Sequence, residues 1–384
     1  MREKLMDLAQ KSAPLAVSMR LPDNFSDRIK GIAHQAGFEL AGIAPLQDFA
    51  ELEQFPKWIA AGHAGEMEYL KARDESGQLK RSSPRTTFPW ARSVIVCAIN
   101  YNTAQPYSGD KHDSGEGWIA RYAWSKEDYH QVILRKLKQV EVKVRGEVAA
   151  SKAPDTGTPS DSNEIQTRCY VDTGPVVERI YAKYAGVGWI GKNTCILNQE
   201  LGSWLFLGVI LTSLELQSDL PAPDRCGSCT RCIQACPTDA LVAPYQLDSN
   251  KCISYLTIEK RGVIPEAMRD GMGRHVFGCD ICQDVCPWNR ESPATAACEF
   301  QPREGLVNPA LEWLTELTEE DFRTTFRGSP IKRSKRNGLR RNAVIAMGNS
   351  GEKRFLPTLK RLVSDEDLIV SDAAAWAIRK LERL

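Results

Sequence analysis

The chain has 384 residues, 42% of them hydrophobic, which is enough for two or three domains with buried cores. Its 50 Lys and Arg nearly cancel its 49 Asp and Glu, so net charge indicates neither a nucleic-acid partner nor an acidic substrate. There is no apolar run of about 18 residues and no export signal, so we expect a cytoplasmic protein without a membrane partner. In that compartment the 12 cysteines are expected to serve metals or catalysis.

Alternating helices and strands are predicted over the first ~215 residues, which indicates one α/β or α+β domain. In chain order they are a capped helix after Asn24 at 27–38, a strand at 39–45, a helix at 49–61, a buried strand at 93–100, a helix at 128–144, a strand at 169–171, a helix at 178–184 and a strand at 204–211. Two polar segments, 103–117 and 150–164, are predicted to be mobile loops.

Two further regions follow this domain. The division predicted from composition is a first domain at 1–219, a cysteine-rich domain at 220–300 and a helical region at 301–384. Three helical runs in the last 50 or so residues have the length of α-solenoid repeats and predict a HEAT-like repeat. The alternative is a helical cap on the preceding domain.

The cysteines form two runs. The first is Cys226-Gly-Ser-Cys229-Thr-Arg-Cys232-Ile-Gln-Ala-Cys236-Pro237, which matches the C-x2-C-x2-C-x3-C-P run of bacterial ferredoxins. In two-cluster proteins the fourth cysteine binds the neighbouring cluster, so a second half is expected. Cys279-Asp-Ile-Cys282-Gln-Asp-Val-Cys286-Pro287 provides most of it, and Cys252 is the candidate for the missing ligand. The prediction is a bacterial two-cluster ferredoxin-like domain, with one [4Fe-4S] cluster on Cys226, Cys229, Cys232 and Cys286 and the other on Cys236, Cys252, Cys279 and Cys282.

Other interpretations of the cysteines and glycines are weaker. Zinc also accepts four cysteines, but its sites rarely use three within seven residues followed by Cys-Pro. The remaining four cysteines are expected to be small buried hydrophobic residues: Cys97, Cys169, Cys195 and Cys298. A G-x-G-x-x-G pattern begins at Gly186, but it follows a predicted helix, whereas a nicotinamide or flavin fingerprint follows a strand. A different cofactor is therefore expected.

Several motifs together resemble the epoxyqueuosine reductase family over nearly the whole chain. They are ARYAW at 120–124 with DYH at 128–130, VDTGP at 171–175, GWIGKNT at 188–194, GSW at 202–204, and both cysteine runs including CQDVCPWN. The resemblance implies a cobalamin- and iron–sulfur-dependent oxidoreductase of queuosine biosynthesis. Its reaction reduces the epoxide of epoxyqueuosine, at the wobble position of tRNA, to queuosine with loss of water.

The resemblance also implies a site. Domain 1–219 would bind cobalamin, and the two clusters, fed by an external low-potential electron donor, would reduce it to cob(I)alamin. Asp172 would donate a proton to the opening epoxide, although an Asp before Thr-Gly-Pro also commonly caps a turn. His130 is not expected to ligate cobalt, because the sequence lacks the glycine of the D-x-H-x-x-G motif. The residues that fall where the family contacts cobalamin are Arg81, Tyr129, His130, Asp172, Ile196, Leu207, Ser254 and Asp280.

A basic segment lies between Asp321 and Glu352, where no acidic residue occurs. It predicts phosphate contacts with tRNA, and the alternative is an ordinary solvated surface. The candidate tRNA contacts are Lys332, Lys335, Arg336, Arg340 and Arg341. A monomer is expected.

Three other functions remain open from the sequence. A reductive dehalogenase would share cobalamin and the paired clusters, but that family usually carries an export signal. A ferredoxin-like electron carrier would bind no corrin, and a tRNA-binding protein with structural clusters would have no redox chemistry.

Overall fold

The computed structural model describes residues 22–110, 113–151 and 165–383. Its helices are α1 Phe25–Gln35, α2 Gln54–Ala60, α3 Pro84–Thr87, α4 Tyr129–Ser151, α5 Glu178–Tyr184, α6 Arg231–Gln234, α7 Ile253–Ile258, α8 Glu266–Arg269, α9 Ile281–Asp284, α10 Leu311–Glu316, α11 Glu319–Thr325, α12 Arg336–Ser350, α13 Leu356–Leu362 and α14 Leu368–Glu382. Its strands are β1 Leu40–Pro45, β2 Ser93–Asn100, β3 Trp118–Ile119, β4 Thr167–Tyr170, β5 Trp189–Ile190, β6 Ile196–Leu197, β7 Leu205–Thr212, β8 Leu241–Ala243, β9 Gln246–Leu247 and β10 His275–Phe277. None of the helices in these ranges could cross a membrane.

A four-stranded sheet organises the first region, in the order β1-β2-β7-β4. All three pairings are antiparallel, so the region is α+β. Every residue of the central strand β2 is buried, as expected for an apolar, β-branched run covered on both faces.

Helices cover both faces of this sheet. Successive side chains of a strand point to opposite faces, so the apolar residues of β2 contact helices on both sides. On one face, Ile95 and Ile99 of β2 pack with α1 and α4. On the other, Val94 and Val96 pack with α5. The loop after β4, the start of α4 and the start of β7 supply the residues of the site described below.

The cysteine-rich segment lies against the first region. Helices α6 and α9, which belong to the two cysteine runs, contact each other. Strand β10 pairs in parallel with β3, so the segment after residue 117 joins the first region to the cysteine-rich one.

The C-terminal helices share a hydrophobic core with the cysteine-rich segment. One continuous cluster contains Leu256 of α7, Phe277 of β10, Met347 of α12 and Trp376 of α14, together with Trp124 from the first region. Cys252 and Cys279 pack against the same cluster. The helices from α10 to α14 are therefore integrated with the segment that carries the cysteines.

The predicted elements are found with small differences. Strand 93–100 and helix 178–184 have the predicted bounds, whereas the predicted helix 49–61 is a 3-10 turn, Ala50–Glu53, followed by α2. The capping prediction is wrong, since the Asn24 side chain makes no cap hydrogen bond to α1. Most of loop 150–164 lies outside the described residues. The described ends of loop 103–117 are packed: Thr103 O accepts a hydrogen bond from Arg121, and Gly117 N donates one to Pro309 O.

A glycine in β1 allows α5 to approach the sheet closely. A Cβ on Gly42 would lie 1.9 Å from the carbonyl oxygen of Ala185 and 2.9 Å from its carbonyl carbon. We expect Gly42→Ala to lower the free energy of unfolding by about 1–3 kcal/mol, because backbone atoms must move. Denaturant titration of the holoprotein measures this.

The matched control is Gly146→Ala in α4, where an added Cβ meets no atom within 4 Å. This change should raise stability by about 0.5–1 kcal/mol, since alanine loses less backbone entropy in a helix. Equal effects of the two substitutions would contradict the close-packing explanation.

Candidate active site

A cavity of about 900 Å³ opens among the three regions of the chain. Six of the eight predicted cofactor contacts line it: Arg81, Tyr129, His130, Asp172, Ile196 and Leu207. Aromatic side chains form much of its wall, namely Phe55, Trp58, Tyr69, Tyr101 and Phe206. A large cavity with mostly apolar walls and a few polar groups is typical of a cofactor site.

Asp172 projects into this cavity from the loop after β4. Its backbone has φ of 60°, a left-handed conformation that Asp tolerates better than most residues. Arg81 holds the loop, because its guanidinium donates to Val176 O at 2.9 Å and to Asp172 O at 3.4 Å. The Asp172 side chain is 65% exposed, so its carboxylate is accessible from the cavity.

Two residues at the start of α4 face this carboxylate. Tyr129 donates its hydroxyl proton to Asp172 Oδ2 at 2.5 Å, and its ring stacks between His130 and Phe206. Burial raises the pKa of Tyr129 well above its ordinary value, and the charge of Asp172 adds to this, so the phenol remains a donor. His130 Nε2 lies 3.9 Å from Asp172 Oδ2, while Nδ1 lies 2.8 Å from Asp128 Oδ1.

A second carboxyl group in the cavity was missed by the sequence reasoning. Glu178 begins α5, and its buried Oε1 has no hydrogen-bond partner. Burial and, to a smaller extent, the charge of Asp172 raise the pKa of Glu178 to about 7. In sequence, an acid in the first turn of a helix is ordinary, so only the cavity distinguishes this residue.

The structure brings the eight cysteines of the two runs together in the predicted sets. The thiol of Cys286 interacts with those of Cys226, Cys229 and Cys232, and burial raises its pKa to about 11. The second set is linked in the same way, because Cys252 interacts with Cys236, Cys279 with Cys252, and Cys282 with both Cys279 and Cys252. Two groups of four thiols, each assembled from both halves of the segment, fit two [4Fe-4S] clusters.

The other four cysteines do not all match the expectation of burial. Cys97 is fully buried, and Cys169 is partly buried beside Glu141. Cys298 is exposed, so that prediction is wrong. Cys195 lines the cavity and is in hydrogen-bond contact with Cys282, and this contact is the main reason that its pKa is lowered. Cys195 therefore connects the second cysteine set to the cavity.

Two predicted cofactor contacts do not line the cavity. Asp280 accepts a hydrogen bond from the backbone N–H of Arg121 at 2.6 Å, and burial raises its pKa to about 6. Ser254 interacts through its hydroxyl with the thiol of Cys252. Both residues belong to the surroundings of the second cysteine set.

The basic segment is divided between surface and core. Arg340 and Arg341 are only 6% and 1% exposed, so their prediction as tRNA contacts is wrong. Arg340 forms an ion pair with Asp365 and donates to Thr315 O. Arg341 donates to three backbone carbonyls, those of Leu256, Lys260 and Gly262. Arg336 is partly buried and donates to Leu317 O at 2.6 Å.

Lys332 and Lys335 are exposed and line a groove that joins the cavity. Tyr69, Glu259 and Arg333 belong to both the groove and the cavity. The acids of the groove are already paired, in the ion pairs Glu66–Lys260, Glu68–Lys71 and Glu259–Arg333. Neither lysine forms an ion pair with any residue in the described ranges, so both are available to an anionic partner.

Two family models match the chain. One, described as epoxyqueuosine reductase QueG, DUF1730, matches residues 81–173, and the other, a 4Fe-4S double cluster binding domain, matches residues 225–289. An epoxyqueuosine reductase of Synechocystis sp. is 44% identical over 307 residues, which cover 79% of this chain and 98% of that protein. That of Xanthomonas campestris pv. campestris is 35% identical over 360 residues, covering 93% and 96%.

The fold is also similar to that of a solved crystal structure. A crystal structure of epoxyqueuosine reductase with an epoxyqueuosine-modified tRNA-Tyr stem loop matches with a TM-score of 0.80 and 29% identity. The match covers 92% of this chain and 89% of that one.

The burial of Arg341 leads to a stability prediction. Burial lowers its pKa to about 10. Arg341→Met should lower the free energy of unfolding by roughly 3 kcal/mol or more, because three buried carbonyls lose their donor. The control is Arg327→Met, where an exposed side chain should change stability by about 0.5 kcal/mol at most. Thermal unfolding of both holoproteins tests this, and an unchanged midpoint for Arg341→Met would show that the side chain is not structural.

Proposed function

Because the chain belongs to the epoxyqueuosine reductase family, we propose that its cavity binds cobalamin and the epoxyqueuosine nucleotide of a tRNA together. The family assignment makes it an oxidoreductase with two iron–sulfur clusters, and it decides against a dehalogenase, an electron carrier and a redox-inactive tRNA-binding protein.

The contact between Cys195 and Cys282 carries the proposal. Cys282 belongs to the second cysteine set, and Cys195 lines the cavity, so a cluster on that set would lie next to the cavity wall. Single electrons move efficiently over such short distances. The first set, with the exposed residues Gly227 and Ser228 in its loop, would accept electrons from an external low-potential donor.

The cavity residues suit a large ring-shaped cofactor. Ile196 and Leu207 offer apolar surface, the ring of Tyr129 adds to it, and Arg81 has further N–H groups for a cofactor's polar substituents. Cobalamin bound there would supply the strongly reducing metal centre that the reaction needs. His130 would not be its axial ligand, since one ring nitrogen is held by Asp128 and the other faces Asp172.

Asp172 is the proposed proton donor to the epoxide oxygen. Opening an epoxide leaves an alkoxide, which must gain a proton as the carbon–oxygen bond breaks. The Tyr129 hydroxyl holds the Asp172 carboxyl group in place and stabilises the carboxylate left after proton transfer. Exposure of the side chain within the cavity gives the epoxide access to it.

The groove lined by Lys332 and Lys335 is the proposed path of the tRNA backbone. Phosphates in the groove would place an unstacked wobble nucleotide at the cavity entrance, where Tyr69 is 48% exposed. Arg336, at the first position of α12, does not line the groove and is proposed only as a neighbouring phosphate contact. Arg340 and Arg341 have no part in it.

We propose a separate function for each of the three regions. Residues 1–219 would form the cobalamin-binding domain, 220–300 the two-cluster domain, and 301–384 a HEAT-like tRNA-binding region in which α13 and α14 form one repeat and α12 is the preceding helix. We further propose that the protein works as a monomer in the cytoplasm.

An anaerobic single-turnover assay tests this function. The reconstituted protein is mixed with cobalamin, a strong reductant and epoxyqueuosine-containing tRNA, and queuosine is measured by nucleoside mass spectrometry. Queuosine should form only with cobalamin present, and Asp172→Asn should lower the rate by about 100-fold or more while cobalamin and the clusters are retained. Absence of product with the fully loaded wild type would refute the proposal.

The matched control for this variant is Asp239→Asn. Asp239 is also exposed and also has a positive φ, of 50°, but it does not line the cavity. The same substitution there should leave the rate unchanged. An equal loss in both variants would indicate a backbone effect instead of proton transfer.

A charge reversal tests the tRNA path. Lys332→Glu with Lys335→Glu should weaken binding of the tRNA stem loop by about 10- to 100-fold and reduce the slope of log K against log salt by about 1 to 2. Arg327→Glu with Lys353→Glu, two exposed sites outside the groove, should change the affinity much less. Binding titrations at several salt concentrations measure both, and an equal loss would assign the effect to net charge alone.

A further inference from the structure

Removal of an epoxide oxygen requires two protons. Both carbon–oxygen bonds break, an alkene forms, and the oxygen leaves as water, so two electrons and two protons are consumed. The electrons come from the external reductant through the clusters. The first proton goes to the oxygen when the ring opens, and the second goes to the same oxygen when it departs as water. Asp172 carries one proton at a time, so the second proton comes either from another acid in the cavity or from solvent through a reprotonated Asp172.

We propose that Glu178 is the second acid, and that it protonates the departing hydroxyl group after Asp172 has protonated the opening ring. This inference rests on the proposed function and assigns a further catalytic residue to it. The two carboxyl groups line the same cavity and are separated by only six positions in the chain.

The surroundings of Glu178 do not explain it as a structural carboxylate. Buried carboxylates in protein structures are normally paired or hydrogen-bonded, whereas its Oε1 is buried without a partner. The guanidinium of Arg81 donates instead to Val176 O and Asp172 O, and that of Arg179 to Thr194 O. Within the described residues no cation lies within ion-pair distance of Glu178. The side chain is therefore positioned for a group that enters the cavity.

The charged groups around Glu178 favour the order of the two transfers. Asp172 faces it from the loop after β4, Arg81 from the segment before α3, and Arg179 from its own helix. Burial and the negative charge of Asp172 favour the protonated form of Glu178, whereas a hydrogen bond from its own backbone N–H and the two arginines favour the carboxylate. Once Asp172 has given up its proton, its charge helps Glu178 to keep its own proton until a stronger base forms. The departing hydroxyl group is such a base.

The test uses Glu178→Gln, which keeps the size of the side chain and removes its proton. Single-turnover formation of queuosine should fall by about 100-fold, while binding of cobalamin and of the tRNA stem loop stays unchanged. In the wild type the rate should fall as pH rises through about 7, because the acid must be protonated, and this dependence should be absent in the variant. Glu178→Asp should recover part of the rate.

A spectroscopic readout is independent of turnover. Infrared difference spectra of the wild type without tRNA should contain the C=O stretch of a protonated carboxyl group that disappears through the same pH range, and Glu178→Gln should lack it. The matched control is Glu319→Gln, which changes the first residue of another seven-residue helix, α11, outside the cavity. It should leave rate and spectrum unchanged.

The outcomes separate this inference from the proposed function. If the wild type forms queuosine and Glu178→Gln forms it equally fast between pH 6 and 8, Glu178 is not an acid in the reaction. A wild-type spectrum without the titrating band would also overturn the inference. If the wild type forms no queuosine although the band is present, the proposed function fails and the protonation of Glu178 stands.

Discussion

Arg121 joins the sheet to the cysteine-rich segment, because its buried guanidinium packs among residues of the first region and its backbone N–H donates to Asp280. Arg121 is 3% exposed, and its guanidinium lies over the rings of Tyr107, Trp124 and Trp204 at 4.8–5.2 Å. Within the described residues it forms no ion pair, its terminal N–H groups donate to the Thr103 hydroxyl and to the backbone carbonyls of Thr103 and Gln105, and its Nε has no hydrogen-bond partner. Because a buried cation is costly unless its surroundings are well ordered, these groups have little freedom to move apart.

Arg121 is connected to the site through two contacts, one with Trp204 and one with Asp280. Trp204 immediately precedes β7, whose first residues line the cavity. The backbone N–H of Arg121 binds Asp280, which lies between Cys279 and Cys282. One residue therefore aligns the cavity wall with the second cysteine set. In the proposed reaction, electrons and protons would reach the same space from different parts of the chain, electrons beside Cys195 and protons from the loop after β4 and the start of α5.

Features that depend on local chemistry were predictable from the sequence. The cysteine spacing predicted the two runs, because a cubane cluster requires ligands at short fixed intervals, whereas Cys252, 27 residues before Cys279, was only the candidate for the missing ligand. Features that depend on distant contacts were not. Arg340 and Arg341 look like surface charges in a basic segment, but every residue from Gly338 to Gly348 is buried, since helices pack around α12 on all sides. Cys195 and Glu178 have no distinguishing pattern in the sequence, and only their position at the cavity identifies them.

The C-terminal helices α10 to α14 share a core with the cysteine-rich segment. Retention of the clusters is therefore expected to depend on the packing of these helices. Cys252 and Cys279 pack against the same apolar cluster as Met347 and Trp376. Loosening of the C-terminal helices, by heat or by a protease cut, would disturb the core against which two of the predicted cluster ligands pack. We would then expect the first visible sign of damage to be bleaching of the iron–sulfur colour.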